Sequence, residues 1–200
     1  MKKLLLLSLF IFITGCSPGQ QSKLKTGDII FQKRMTPGSV MFGQATKSEY
    51  SHMGMIYMLE AQPFVFEVVE LVTLTPLDDW VRKGEGKLYT VKRLKNAEEV
   101  FKEDVLEKLE AFADVLMAGF SDPYFEWTDE GYYPSELVWK VYETIAETEL
   151  CPLKKIKDLD FTNEAFARMM EEYYKGKIPM DENMVLPSDI LNSEKLMSVE

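Results

Sequence analysis

Tyr132-Tyr133-Pro134-Ser135-Glu136-Leu137-Val138-Trp139-Lys140-Val141-Tyr142 is the stretch from which the rest of the chain can be read. Leu137, Val138, Val141, Tyr142 and Ile145 recur at helical spacing, which predicts a core-facing helix beginning near Pro134. Proline suits the first helical position, because its missing N–H would have no partner there and its φ is already helical. Ser135 and Glu136 then place polar and acidic groups in the first turn, where they complement the helix dipole. The residue before a proline is extended, so Tyr133 should enter the helix from a strand-like conformation.

Upstream of this helix the pattern is that of strands. Gly27-Asp28-Ile29-Ile30-Phe31 is a turn entering a short apolar strand, and Ser51-His52-Met53-Gly54-Met55-Ile56-Tyr57-Met58 is a strand apolar on both faces. Residues 59–63 have the length of a hairpin loop, and Phe64-Val65-Phe66-Glu67-Val68-Val69 is the returning strand. A polar, irregular segment, residues 33–47, separates the first two strands. Thr75-Pro76 should start a short helix holding Trp80, with Gly84 as its stop, and residues 87–94 form a further strand. Downstream the pattern is helical. One long helix is expected from Ala97 to Gly119, then the central helix, then a helix through Phe166 and Met170 ending near Gly176. A tail, residues 180–200, carries a short helix after Pro187. Strands first and helices after make an α+β domain.

His52 is the only histidine. A lone histidine beside an apolar strand is most often a hydrogen-bonded structural residue. Glu67 lies on the next strand, so the two can meet on one face of an antiparallel pair. A buried carboxylate needs a partner, since an unpaired charge there costs several kcal/mol. A carboxylate orienting an imidazole is half of a nucleophilic triad. One histidine and few thiols leave mainly carboxylates as ligands, so neither a metal nor another cofactor is expected.

The words Tyr-Tyr-x-Ser-Glu-Leu-Val-Trp-Lys-x-Tyr, Ser48-Glu49-Tyr50-Ser51-His52-Met53-Gly54-Met55 and Pro63-Phe64-Val65-Phe66-Glu67 resemble the permuted papain-like hydrolases of the YiiX/YaeF type, relatives of the NlpC cell-wall peptidases. The likeness continues through Thr75-Pro76-Leu77 to Val185-Leu186-Pro187. It implies a small antiparallel sheet packed against helices, including the one that carries the nucleophile. It also implies His52 as base, Glu67 as its orienting residue, and an order reversed from papain, where the cysteine comes first. In the family the position after the aromatic pair is that cysteine; here it is Pro134, which has neither a thiol nor an N–H. A folded domain with a disabled site is therefore expected, with Tyr133 and Ser135 as candidate ligand contacts. Ser135 or an activated water are the alternative nucleophiles, but one residue along the helix turns a side chain by roughly 100°. Cys151 reads as a small buried residue before Pro152. A ligand implied by the resemblance is a cell-wall peptide or an acylated lipid.

Met1-Lys2-Lys3, an apolar run over residues 4–13, and Thr14-Gly15-Cys16 resemble a lipoprotein signal with its lipobox. The expected organisation is a signal peptide over residues 1–15, lipidated Cys16 with a tether to residue 24, and one domain over residues 25–200. Cys16 would anchor the chain to a bacterial membrane in the cell envelope. Ser17 after the cysteine is compatible with the outer membrane in a Gram-negative host. With 23 basic against 33 acidic residues, a net charge of −10, and no basic stripe or glycine-rich phosphate loop, nucleic acid is not an expected partner.

Overall fold

The computed structural model describes residues 23–199, apart from residues 37–38, 41–42, 44–45, 47, 118 and 123–124. The signal segment, Cys16 and most of the tether lie outside the described residues. Six antiparallel strands form the main sheet in the order β10-β5-β1-β2-β3-β4. These are β1 (Ile29–Gln32), β2 (His52–Leu59), β3 (Gln62–Val68), β4 (Val72–Pro76), β5 (Tyr89–Leu94) and β10 (Leu196–Ser198). Two two-stranded pairs complete the strand set, β6 (Phe120–Ser121) with β7 (Gly131–Tyr132) and β8 (Lys154–Lys155) with β9 (Asn183–Met184).

Apolar residues on both sides of β2 mean that both faces of the sheet are covered. Met53 and Met55, with Ile29, Phe31, Phe66 and Val68, pack against α3 (Glu103–Leu116) and α4 (Pro134–Ala146) through Leu109, Leu137, Val138 and Val141. Ile30, Ile56, Val65 and Val91 face the other way and pack on α1 (Leu77–Arg82) through Leu77, Trp80 and Val81. Burying a large aliphatic side chain contributes about 1.5–3 kcal/mol, so the strands' alternation fixes which face each polar residue shares. Gln32, His52 and Glu67 share the α1 face.

Three local expectations are revised. Residues 59–63 do not form a five-residue loop: strand pairing continues to Leu59↔Gln62 around a two-residue turn in which Glu60 and Ala61 both have positive φ, 49° and 62°. The long helix is broken into α2 (Ala97–Val100) and α3, because Phe101 leaves helical conformation at φ −84°, ψ 59°. Its ring packs edge-on against Tyr142, centroids 5.6 Å apart, and fills the space over Gly27, where an added Cβ would lie 2.6 Å from it. Packing has overridden periodicity there. The tail does form its short helix, α6 (Pro187–Leu191), but then adds β10 as an edge strand against β5, with Leu196 opposite Leu94. A further helix, α5 (Glu164–Tyr173), is capped by the Asn163 side chain, which accepts from the Phe166 N–H at 3.1 Å.

Candidate active site

The start of α4 follows from its local sequence. Tyr133 is extended, φ −102° and ψ 160°, and Pro134 takes the first helical position. The Glu136 carboxylate reaches back to accept from the Tyr133 N–H at 3.3 Å. Segment 183–185 is fastened to this turn from outside: Ser135 Oγ donates to the Val185 carbonyl at 2.8 Å, and the Val185 N–H donates to Tyr133 Oη at 3.2 Å. Ser135 is thus almost fully buried, and its hydroxyl proton is committed to a backbone carbonyl.

His52 is the first residue of β2 and stands at the end of the sheet, paired in register with Gln32. Its Nε2 lies 2.5 Å from Glu67 Oε2. Gly54 makes the approach of β3 possible on this face: a Cβ there would lie 2.5 Å from Val65 Cγ1 and 3.3 Å from Glu67 Cβ. Glu67 is fully buried and collects donors on both oxygens. Oε2 also accepts from Arg34 Nη2 at 2.9 Å and Trp80 Nε1 at 3.0 Å; Oε1 accepts from Thr75 Oγ1 at 2.7 Å, with Lys83 Nζ at 3.8 Å.

Burial by itself would raise the Glu67 pKa, but the bonds from His52 and Thr75 and the Arg34 charge outweigh it and hold the carboxyl at about 2. For His52 burial is again the largest influence and lowers the imidazole pKa; the bond to Glu67 opposes it, and the Arg34 and Lys83 charges add to it. The stable arrangement is an ionised Glu67 paired with cationic Arg34, beside a neutral His52. An ionised carboxylate only accepts, so Nε2 carries the imidazole proton and Nδ1 keeps its lone pair. That is the protonation state of a general base.

A cleft of about 390 Å³ joins these elements. His52 and Arg34 line it together with Tyr133, Pro134, Phe125 and Tyr173. Pro134, a side chain without a heteroatom, lines the same cleft as the imidazole. A larger hollow of about 590 Å³ lies beside Cys151 and Lys195 and includes no histidine. Burial pushes the Cys151 thiol up to about 12, and the Cys151 carbonyl accepts from Trp139 Nε1 at 2.9 Å, as befits a structural cysteine. α4 ends at Glu147, left-handed at φ 47°, so no continuous helix runs on to Cys151.

The family described as permuted papain-like amidase enzyme, YaeF/YiiX, C92, matches residues 23–200. The chain belongs to this family. It is 32% identical over 200 residues to the uncharacterised YiiX protein of Escherichia coli K12, covering 98% of this chain and 94% of that one. A solved structure, described as the metalloprotein yiiX from Escherichia coli O157:H7, superposes with a TM-score of 0.83 at 34% identity, covering 89% of this chain and 97% of that one. The permuted papain-like fold places the strand bearing His52 before the helix that starts at Pro134, as the sequence order requires.

Sequence reasoning singled out His52, Glu67, Tyr133, Pro134 and Ser135, and the structure brings all five to this region. It missed Arg34, which comes from the irregular segment after β1 and carried no local signal. It also missed that Thr75 and Trp80, read as the start of a short helix and a residue within it, donate to Glu67. Glu136 was read only as a dipole partner; it is fully buried, and burial pushes its carboxyl up to about 8 although Lys140 Nζ lies 2.9 Å away.

Proposed function

We propose that this protein is a lipid-anchored cell-envelope member of the permuted papain-like amidases that binds an amide-containing ligand and does not hydrolyse it. The observation that carries the reading is Pro134 at the start of α4, in one cleft with a neutral His52 held by Glu67. In a cysteine hydrolase, the residue at this point supplies the thiolate and commonly an oxyanion N–H. Proline supplies neither. Losing one oxyanion donor costs on the order of 3 kcal/mol of transition-state stabilisation, and losing the nucleophile costs far more. Ser135 is a poor substitute, since its hydroxyl is buried and donates to Val185.

The description metalloprotein belongs to the Escherichia coli structure. The residues of this chain do not fit a metal at the cleft. Among the described residues no three His, Cys, Asp or Glu side chains converge. Both Glu67 oxygens are taken by donors, one of them cationic Arg34, and Lys83 adds a second positive charge 3.8 Å away. A metal cation there would face two others, Arg34 and Lys83.

Two experiments test the reading. In the first, full-length protein is incubated with amide and ester substrates beside its His52→Ala variant. No His52-dependent turnover is expected, while an envelope-derived ligand raises the melting temperature and His52→Ala weakens that shift. Turnover by the unaltered protein that vanishes in His52→Ala would instead establish a working hydrolase using water. In the second, radioactive palmitate fed to cells should label the protein and not its Cys16→Ser variant; equal labelling would remove the anchor.

A further inference from the structure

We infer that the cleft reads a ligand carboxylate next to the amide, with the Arg34 guanidinium as its receptor; this rests on the reading of the cleft as an amide-binding site. A guanidinium has five N–H donors in a planar fork. Arg34 donates from Nη2 to Glu67, while its Nε is buried without a hydrogen-bond partner, and no bond from Nη1 is found among the described residues. The side chain is 12% exposed and lines both the cleft and an adjoining hollow of about 350 Å³. Its backbone is held in place by Ser51, whose Oγ accepts from the Arg34 N–H at 3.0 Å. Among the described residues, most donors of this fixed, largely desolvated cation are thus without a partner.

Charge selects the ligand class. Among the described residues Arg34 is the one cationic side chain in the cleft lining, and Asp122, also in the lining, accepts from the Glu126 N–H. His52 is neutral and Glu67 is internal. A planar carboxylate matches the guanidinium fork, whereas a tetrahedral phosphate dianion would bring two charges to a cation already paired with Glu67. The same lining carries Phe125, Met169 and Tyr173, which suit an apolar group on the ligand. The chemistry that fits is an N-acyl amino acid or the C-terminal end of a peptide. Both present an amide with a free carboxylate close by.

The test is an NMR titration of the full-length protein with N-benzoylglycine, its neutral isostere N-benzoylglycinamide, and inorganic phosphate. Variants are Glu67→Gln and the double variant Arg34→Met/Glu67→Gln, which removes Arg34 without stranding a buried charge. The acid is expected to bind about tenfold more tightly than the amide, in line with a charge-assisted hydrogen bond. That preference should persist in Glu67→Gln and disappear in the double variant. Equal binding of acid and amide by the unaltered protein overturns the carboxylate receptor and leaves the amide cleft standing. Phosphate competing as well as the acid overturns the preference for a carboxylate. Binding of neither organic probe removes the amide cleft and this inference together.

Discussion

His52 and Pro134 line one cleft, a neutral imidazole and a helix start that offers neither thiol nor N–H. Glu67 holds the imidazole, and Pro134 is well suited to starting the helix.

The Arg34–Glu67 pair should be an expensive one to break from either side. Arg34→Met strands a buried carboxylate and is expected to cost about 3 kcal/mol in urea unfolding. Arg34→Met/Glu67→Gln should recover part of that loss, because no buried charge is left unpaired. Two single losses that simply add would show that the pair is not coupled.

The two buried acids should shape opposite limbs of the pH–stability profile. The folded pKa of Glu67, about 2, lies below its ordinary 4.5, so its contribution is present above pH 4.5 and lost as pH falls toward 2. The lowered His52 pKa acts in the same direction, destabilising the fold as pH drops below 6.5. Glu136 works the other way. Its folded pKa, about 8, lies above 4.5, so the fold loses stability as pH rises from 4.5 to 8 and no further beyond. Glu136→Gln is therefore expected to stabilise the protein at pH 8 and to change little at pH 4. Thermal melts of both proteins across this range check it; a stability difference independent of pH would contradict the burial argument.

How much of this was legible in the sequence follows from how local each cause is. The helix at Pro134 was readable because proline, an early acid and the spacing of Leu137, Val138 and Val141 all lie within a few residues. The pairing of His52 with Glu67 was readable as strand adjacency. Arg34 reaches Glu67 across 33 positions from an irregular segment, and nothing near it announces the contact. The break at Phe101 was hidden because the apolar spacing continues through it, and only the space over Gly27 and the face of Tyr142 decide where its ring goes. β10 was hidden by its length, three residues near the end of the tail.

The hairpin between β2 and β3 is tight for the residues it uses. Glu60 and Ala61 both sit at positive φ, a conformation that glycine adopts without cost. Ala61→Gly is expected to stabilise the fold by about 0.5 kcal/mol, visible as a higher denaturation midpoint with an unchanged slope. A lower midpoint would mean that the turn is not under strain.

Ser135 should prove structural. Ser135→Ala removes the bond to the Val185 carbonyl and is expected to cost about 1 kcal/mol, with ligand binding at the cleft unchanged. A loss of binding with no loss of stability would return Ser135 to the chemistry.

The most direct measurement places a cysteine at position 134. Pro134→Cys is compared with Pro134→Cys/His52→Ala for reaction with a cysteine-directed probe at pH 6.5, both carrying Cys16→Ser and Cys151→Ser. An ordinary thiol of pKa about 8.5 is only about 1% thiolate at that pH, so rapid labelling requires the helix start and His52 to lower the pKa. The expected result is labelling at least about tenfold faster in Pro134→Cys than in the His52→Ala control, showing that the triad geometry has outlived its nucleophile. Equal, slow labelling of the two would contradict it and leave His52 and Glu67 as structural residues of an inert fold.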